Sequence, residues 1–234
     1  MMSMTLTQPA LRVEPSPRWI RGYLHAQPIV DSKRALVVYG VKRTPTYFFP
    51  RADVLVELRP GRREDDKESW SIDSVDDIGW SYVNQNELRE YVAFDWPKLD
   101  SWYEEDEEVF VHPRDPHHRV DVLNSSRHIK VVIGGEVVAE SHRPRLLFET
   151  GLRTRYYLPK MDVRMDLLEP TSTTSACPYK GNAVYWSARI GGQVYPDIVW
   201  GYPFPTPECP KIQNLLSFYN EKVDVYVDGE LQPK

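Results

Sequence analysis

Residues Ser32–Leu58 read SKRALVVYGVKRTPTYFFPRADVLVEL, and residues Ser141–Leu167 read SHRPRLLFETGLRTRYYLPKMDVRMDL. The two stretches align without a gap at a constant offset of 109 residues. Ser32/Ser141, Arg34/Arg143, Tyr47/Tyr156, Pro50/Pro159, Asp53/Asp162, Val54/Val163 and Leu58/Leu167 are identical. Tyr39/Phe148, Phe48/Tyr157 and Arg51/Lys160 are close. An internal repeat sets the architecture before any element is assigned, because each copy must be one structural unit. It also supplies a control: a residue held by one copy only is not needed merely to fold. The 234 residues suffice for two domains of about 100 residues.

Outward from the repeat the chain reads as strands. Ala35–Tyr39 is apolar and rich in β-branched residues, and Pro45 and Pro50 bracket Tyr47-Phe48-Phe49, which excludes a helix there. Ile129–Ile133 and Val137–Ala139 flank Gly134-Gly135, and Ala183–Ile190 and Val194–Val199 flank Gly191-Gly192, so both pairs read as hairpins. Val223, Val225 and Val227 alternate with Asp224 and Tyr226, as a half-buried strand requires. Helix is confined to two short candidates, 86–94 and 210–219, the last residues of each reading equally well as strand. Beyond the ungapped stretch, Trp70-Ser71 matches Trp186-Ser187, Asp77–Tyr82 matches Asp197–Tyr202, and Phe94 matches Phe218. The expected fold is mostly β: two tandem small antiparallel β domains related by a pseudo-twofold, with one short helix or helical turn each. The expected division is an N-terminal tail over 1–18, a first, degenerate repeat over 19–112, a linker over 113–121 and a second, motif-bearing repeat over 122–234.

Composition narrows the classes. The net charge is −5, from 29 basic against 34 acidic residues, which argues against a nucleic-acid surface built on counterion release. No apolar run nears the roughly 20 residues that span a bilayer, so no membrane partner is expected. The N-terminal residues lack a basic region followed by an apolar core, so no secretory signal is read. Two cysteines, Cys177 and Cys209, make no disulfide framework, and a cytoplasmic location is expected. The run Glu104–Glu108 reads as a solvated edge that discourages sheet-to-sheet pairing. His112, His117, His118 and His128 invite a metal reading, but no Cys or His knuckle repeats nearby; linker contacts or solvent exposure are expected instead. No cofactor is implied.

Three polar features belong to the second copy alone. Glu149-Thr150-Gly151 stands where the first has Gly40-Val41-Lys42. The loop Thr173–Gly181 stands where the first has the acidic run Arg63–Glu68. Arg153 and Arg155 flank Thr154, where the first has Thr44, Pro45 and Thr46.

These residues carry a resemblance. Ser141-His142-Arg143, Leu147–Leu152, Arg155–Pro159, Asp162-Val163, Cys177-Pro178-Tyr179-Lys180-Gly181, Tyr185-Trp186 and Val223-Asp224-Val225 are similar to the domain of unknown function 427 family, here in tandem form. The resemblance covers the second copy almost completely and the first loosely. It implies a small, mostly antiparallel β domain of β-tent type and no established activity. A nucleotidyltransferase-like label attaches to the family, yet the chain lacks the Gly-Ser followed by paired aspartates that holds two metal ions in such enzymes. It also lacks the Cys-x-x-Cys knuckles that carry zinc in β-tent proteins.

The expected site is a pocket for a small anionic or nucleotide-like ligand in the second repeat. Its candidate ligand-binding residues are Arg143, Glu149, Arg155, Tyr157, Tyr179 and Lys180. Lysine would serve an anion as a point charge and arginine as a fork. The competing reading pairs Lys180 and Arg143 with Glu149 and Asp162 in an ion network. Cys177 is the candidate nucleophile, with Lys180 three residues on to favour its thiolate; the competing reading is a thiol packed in a turn. The alternative function is a non-enzymatic scaffold presenting a protein-binding surface.

Overall fold

The computed structural model describes residues 11–73 and 75–234. Residues 1–10, expected as part of the tail, lie outside the described residues, as does Ser74. The chain forms two compact units that meet in sequence at Asp115 and Pro116.

The first unit contains β1 (Arg12–Pro15), β2 (Ile20–Leu24), β3 (Gln27–Ser32), β4 (Leu36–Tyr39), β5 (Thr46–Pro50), β6 (Arg59–Glu64), β7 (Lys67–Ile72), β8 (Val75–Tyr82), β9 (Tyr91–Phe94), β10 (Ser101–Glu104) and β11 (Glu107–Glu108). Seven form a sheet in the order β1-β4-β5-β9-β8-β7-β6, and four form a second in the order β11-β10-β2-β3. The second unit contains β12 (Val120–Asn124), β13 (Ile129–Ile133), β14 (Glu136–Ser141), β15 (Arg145–Glu149), β16 (Arg155–Tyr157), β17 (Leu168–Cys177), β18 (Gly181–Ile190), β19 (Gln193–Gly201), β20 (Leu216–Phe218), β21 (Asp224–Val227) and β22 (Glu230–Leu231). Its small sheet runs β14-β13-β21-β22. The ladders β12-β15-β16 and β17-β18-β19-β20 are joined by reciprocal amide bonds between Leu158 and Leu216, at 2.7 and 2.9 Å. The resulting order repeats that of the first unit strand for strand.

The repeat is therefore one of register. Ile20 faces Ser32 and Ile129 faces Ser141; Leu36 faces Phe48 and Arg145 faces Tyr157. A slip of one residue would turn each strand's apolar face to water. The alternation read at Val223, Val225 and Val227 buries all three against Ile129, Val131 and Ile133. Gly134-Gly135 and Gly191-Gly192 turn both hairpins with positive φ at every position, the conformation a two-residue turn demands. The identical Ser, Arg and Asp of the repeat form one knot in each unit. Ser32 and Arg34 donate to Asp53, and Ser141 and Arg143 donate to Asp162, the hydroxyl bonds measuring 2.6 and 2.7 Å. This ties the end of β3 or β14 to the turn after β5 or β16.

Helical structure is limited to short 3-10 turns, three in each unit among the described residues, with no α-helix there, and three other expectations change. At 86–94 and 210–219 only Asn86–Leu88 and Pro210–Ile212 turn, because the apolar residues after them spend their amides on neighbouring strands. Residues 12–15, read as tail, form the edge strand β1; with one partner and a terminal proline, its pattern is faint in sequence. Thr173–Cys177, read as loop, belongs to β17, its side chains half-buried or exposed along the edge of the ladder. Glu104 is not solvated: alternation along β10 turns it inward, where Arg18 and the Tyr47 hydroxyl meet it, while Glu107 and Glu108 stay exposed on the edge strand β11. No described helix is long and apolar enough to cross a membrane.

Candidate functional site

β12 lies beside β15 with Val120 opposite Glu149, and Arg119 and Thr150 exchange bonds just beyond the ladder. That pairing draws the residue before it, His118, against the end of β15. His118 Nε2 lies 3.0 Å from Glu149 Oε1. The β17–β18 hairpin turns through Pro178-Tyr179-Lys180 and sends Lys180 to the same carboxylate, with Nζ 2.6 and 2.5 Å from its two oxygens. The His118 and Tyr179 rings stack at 4.3 Å. Glu149 and Lys180 side chains are only 7% and 11% exposed, so this is a buried charge cluster.

A strap closes over the turn. Pro203–Glu208 occupies the stretch between Tyr202 and Cys209; the first unit has only Val83 and Asn84 between Tyr82 and Gln85. Pro205 bridges Gly181, Thr206 N–H donates to the Lys180 carbonyl, and the Thr206 hydroxyl donates to the Tyr179 carbonyl at 2.6 Å. Gly181 has φ +97°, and a Cβ there would stand 2.9 Å from the Phe204 carbonyl oxygen. Only glycine fits between strap and turn, which accounts for the last residue of the Cys-Pro-Tyr-Lys-Gly run.

Burial pushes the Glu149 carboxyl up, but the ammonium of Lys180 and the ring of His118 more than offset this and hold it below its ordinary value. Burial raises the Tyr157 and Tyr202 phenols and the Cys209 thiol. Tyr157 is 1% exposed and accepts a bond from the Trp200 indole at 3.1 Å.

The structure thus brings together Glu149, Tyr179 and Lys180. Cys177 closes the β17–β18 ladder opposite Gly181 and is half-buried. Tyr157 lies deeper, in the apolar cluster with Trp200, Tyr202 and Cys209. Arg155 is engaged elsewhere: it forks onto Glu221 at 2.6 and 3.0 Å, with its guanidinium 5.3 Å from the Trp200 ring. Arg143 stands apart in the Ser141–Asp162 knot, which the first unit shares, so its place follows from the fold. His118 was expected as a linker or solvent-exposed residue; its side chain is 18% exposed against Glu149. No local pattern marks it, because the β12–β15 pairing alone sets its position. His128 pairs with Glu140 and stacks on His142 at 4.3 Å. Among the described residues no group of three or more His, Cys, Asp or Glu is placed to hold a metal.

The first unit shows the same location without the cluster. Gly40, Val41 and the Asp65-Asp66 turn replace Glu149, Thr150 and the Lys180 turn, and they line an open cavity of about 810 Å³ with Tyr82 and Leu88.

A family model described as Domain of unknown function (DUF427) matches the chain twice, over residues 12–105 and 121–229. The chain belongs to the DUF427 family. Each DUF427 match begins on the first or second residue of its unit's first strand and runs past β10 or β21, so the family's domain coincides with the repeated unit. No curated protein matches the chain.

Proposed function

We propose that the second DUF427 repeat binds a small anionic or nucleotide-like molecule at the Glu149–Lys180–His118 cluster. One observation carries this reading. Burying two charges costs several kcal/mol per ion before their attraction repays it, and the first repeat builds the same sheet with Gly40 and an Asp-Asp turn there. The fold does not require the cluster, and charged groups held in place without structural need are characteristic of working sites. Lys180 Nζ bonds both Glu149 oxygens, and an ammonium has three N–H donors, so the donor not spent on Glu149 is the one Lys180 would give a ligand anion. The His118–Tyr179 stack would supply the aromatic surface on which a base stacks. Cys177, at the edge of the turn, is the thiol available if the site is catalytic. Two free thiols accord with a reducing compartment, and we infer a cytoplasmic home on that ground.

The test is thermal unfolding of the full chain with inorganic phosphate, nucleoside monophosphates and nucleoside triphosphates. A ligand at 100 times its Kd stabilises by about 2.7 kcal/mol. Nucleoside phosphates should raise the melting temperature more than phosphate does, and Tyr179→Ala should remove the difference. No shift with any of them would refute the reading.

A second reading rests on Phe204, which is 83% exposed on the strap, and on exposed Leu152. A protein partner gripping Phe204 would make the repeat an interaction module. Phe204→Ser would then abolish association while leaving any nucleotide response intact.

A further inference from the structure

The first repeat carries a separate cavity of about 200 Å³, and its walls are aromatic. Trp96 and Trp102 stack at 4.6 Å with their planes 13° apart, and the Tyr47 ring centre lies 6.5 Å from that of Trp96. Thr46 and Val111 line it too, and Lys42 and His112 bring a charged and a polar side chain to its wall. Val111 has φ +75°, a conformation that β-branched residues almost never adopt. Strain of that kind persists only where surrounding structure imposes it, and it gathers at binding sites.

The second repeat shows that the strand arrangement does not force this opening. Thr46 faces Val38 across the ladder as Arg155 faces Leu147. The Asp95 amide bonds the Ile78 carbonyl as the Tyr219 amide bonds that of Ile198, so Trp96 and Pro97 correspond to Asn220 and Glu221. Arg155 reaches across to Asn220 and Glu221, and Asn220 in turn bonds the Thr154 carbonyl. Those paired polar side chains stand where the first repeat leaves its cavity.

We propose that this cavity is a binding site for one flat, uncharged aromatic ring. Its size is below the roughly 300–1,000 Å³ of sites that hold whole drug-sized ligands, so it takes a single ring system. Aromatic walls favour stacked or edge-on ring contacts. An ammonium group would also suit aromatic faces, but the Lys42 ammonium already lines this cavity and no unmatched carboxylate among the described residues offsets it. Glu104, behind Tyr47, is matched by Arg18 and the Tyr47 hydroxyl, and Asp95 is matched by Lys42 at 2.7 Å.

Ligand-observed saturation-transfer NMR on the full chain tests this, with phenol as the probe and tetramethylammonium as the charged comparison. Phenol should bind in the millimolar range or tighter and tetramethylammonium more weakly. The triple substitution Thr46→Arg, Trp96→Asn and Pro97→Glu, which installs the second repeat's own plug, should weaken phenol at least tenfold. Should that variant fail to fold, the wild-type indole N–H shifts decide, with Trp96 and Trp102 assigned through their phenylalanine variants. Phenol must move those two signals. No transfer to phenol, tighter binding of tetramethylammonium, undiminished binding by a folded triple variant, or shifts confined to other indoles would each overturn the proposal.

Discussion

Replacing Lys180 with methionine keeps most of the side chain's volume and removes the charge. Glu149 would then remain in a site where its side chain is 7% exposed, with His118 as its remaining partner. Breaking a buried pair from one side costs about 3–5 kcal/mol when the other charge stays trapped. Here protonation of the stranded carboxylate limits the cost. Protonating a carboxyl of ordinary pKa 4.5 at pH 7 costs about 3.4 kcal/mol, at about 1.36 kcal/mol per pH unit. The expected destabilisation is therefore about 3 kcal/mol at pH 7, a drop of roughly 10–20 °C for a domain of this size. At pH 5 that escape costs only about 0.7 kcal/mol, and the deficit should fall below about 1 kcal/mol. In the wild type the sign is the usual one for a depressed carboxyl: the pair's contribution is complete above the ordinary value of 4.5 and is lost as the pH falls through the lower folded value. The assay is thermal and urea unfolding of wild type, Lys180→Met and Lys180→Met/Glu149→Gln at both pH values. The double variant should regain most of the loss at pH 7. A deficit that is equal or larger at pH 5, or that Glu149→Gln does not relieve, would refute the argument.

Gly181→Ala should cost more than about 1 kcal/mol, because alanine is strained at φ +97° and its Cβ meets the Phe204 carbonyl; a melting temperature within about 2 °C of wild type would contradict this. Iodoacetamide should label Cys177 well before Cys209, which is 0% exposed and whose thiol burial pushes up; equal rates by mass spectrometry would show that the strap opens freely.

Much of this was legible in the residues because it rests on local periodicity. The 109-residue offset is plain in the sequence, and because strand side chains alternate with period two, Ile129 against Ser141 and Ile20 against Ser32 share a register once one face of each sheet is buried. The glycine pairs declared the hairpins, and Pro45 and Pro50 kept helix away from Tyr47. Residues held by the second repeat alone pointed to Glu149 and Lys180, and these two do meet. The repeated Ser, Arg and Asp carried the opposite message: Arg143 belongs to a knot made in both units.

Other features depended on contacts far apart in the chain. His118 reaches Glu149, 31 residues on, only because β12 pairs with β15, and nothing around His118 encodes that pairing. Glu104 looked like one more acid in a solvated run, yet it meets Tyr47 from 57 residues away. Whether Lys180 would pair with Glu149 or stand open was likewise undecided until the Pro203–Glu208 strap pinned the turn. The sequence by itself determined two β units of one strand order, since alternation and turn chemistry act over a few residues. Tertiary structure alone decided which charges are neutralised and which volumes stay empty, because both depend on side chains that strand pairing brings together across long loops.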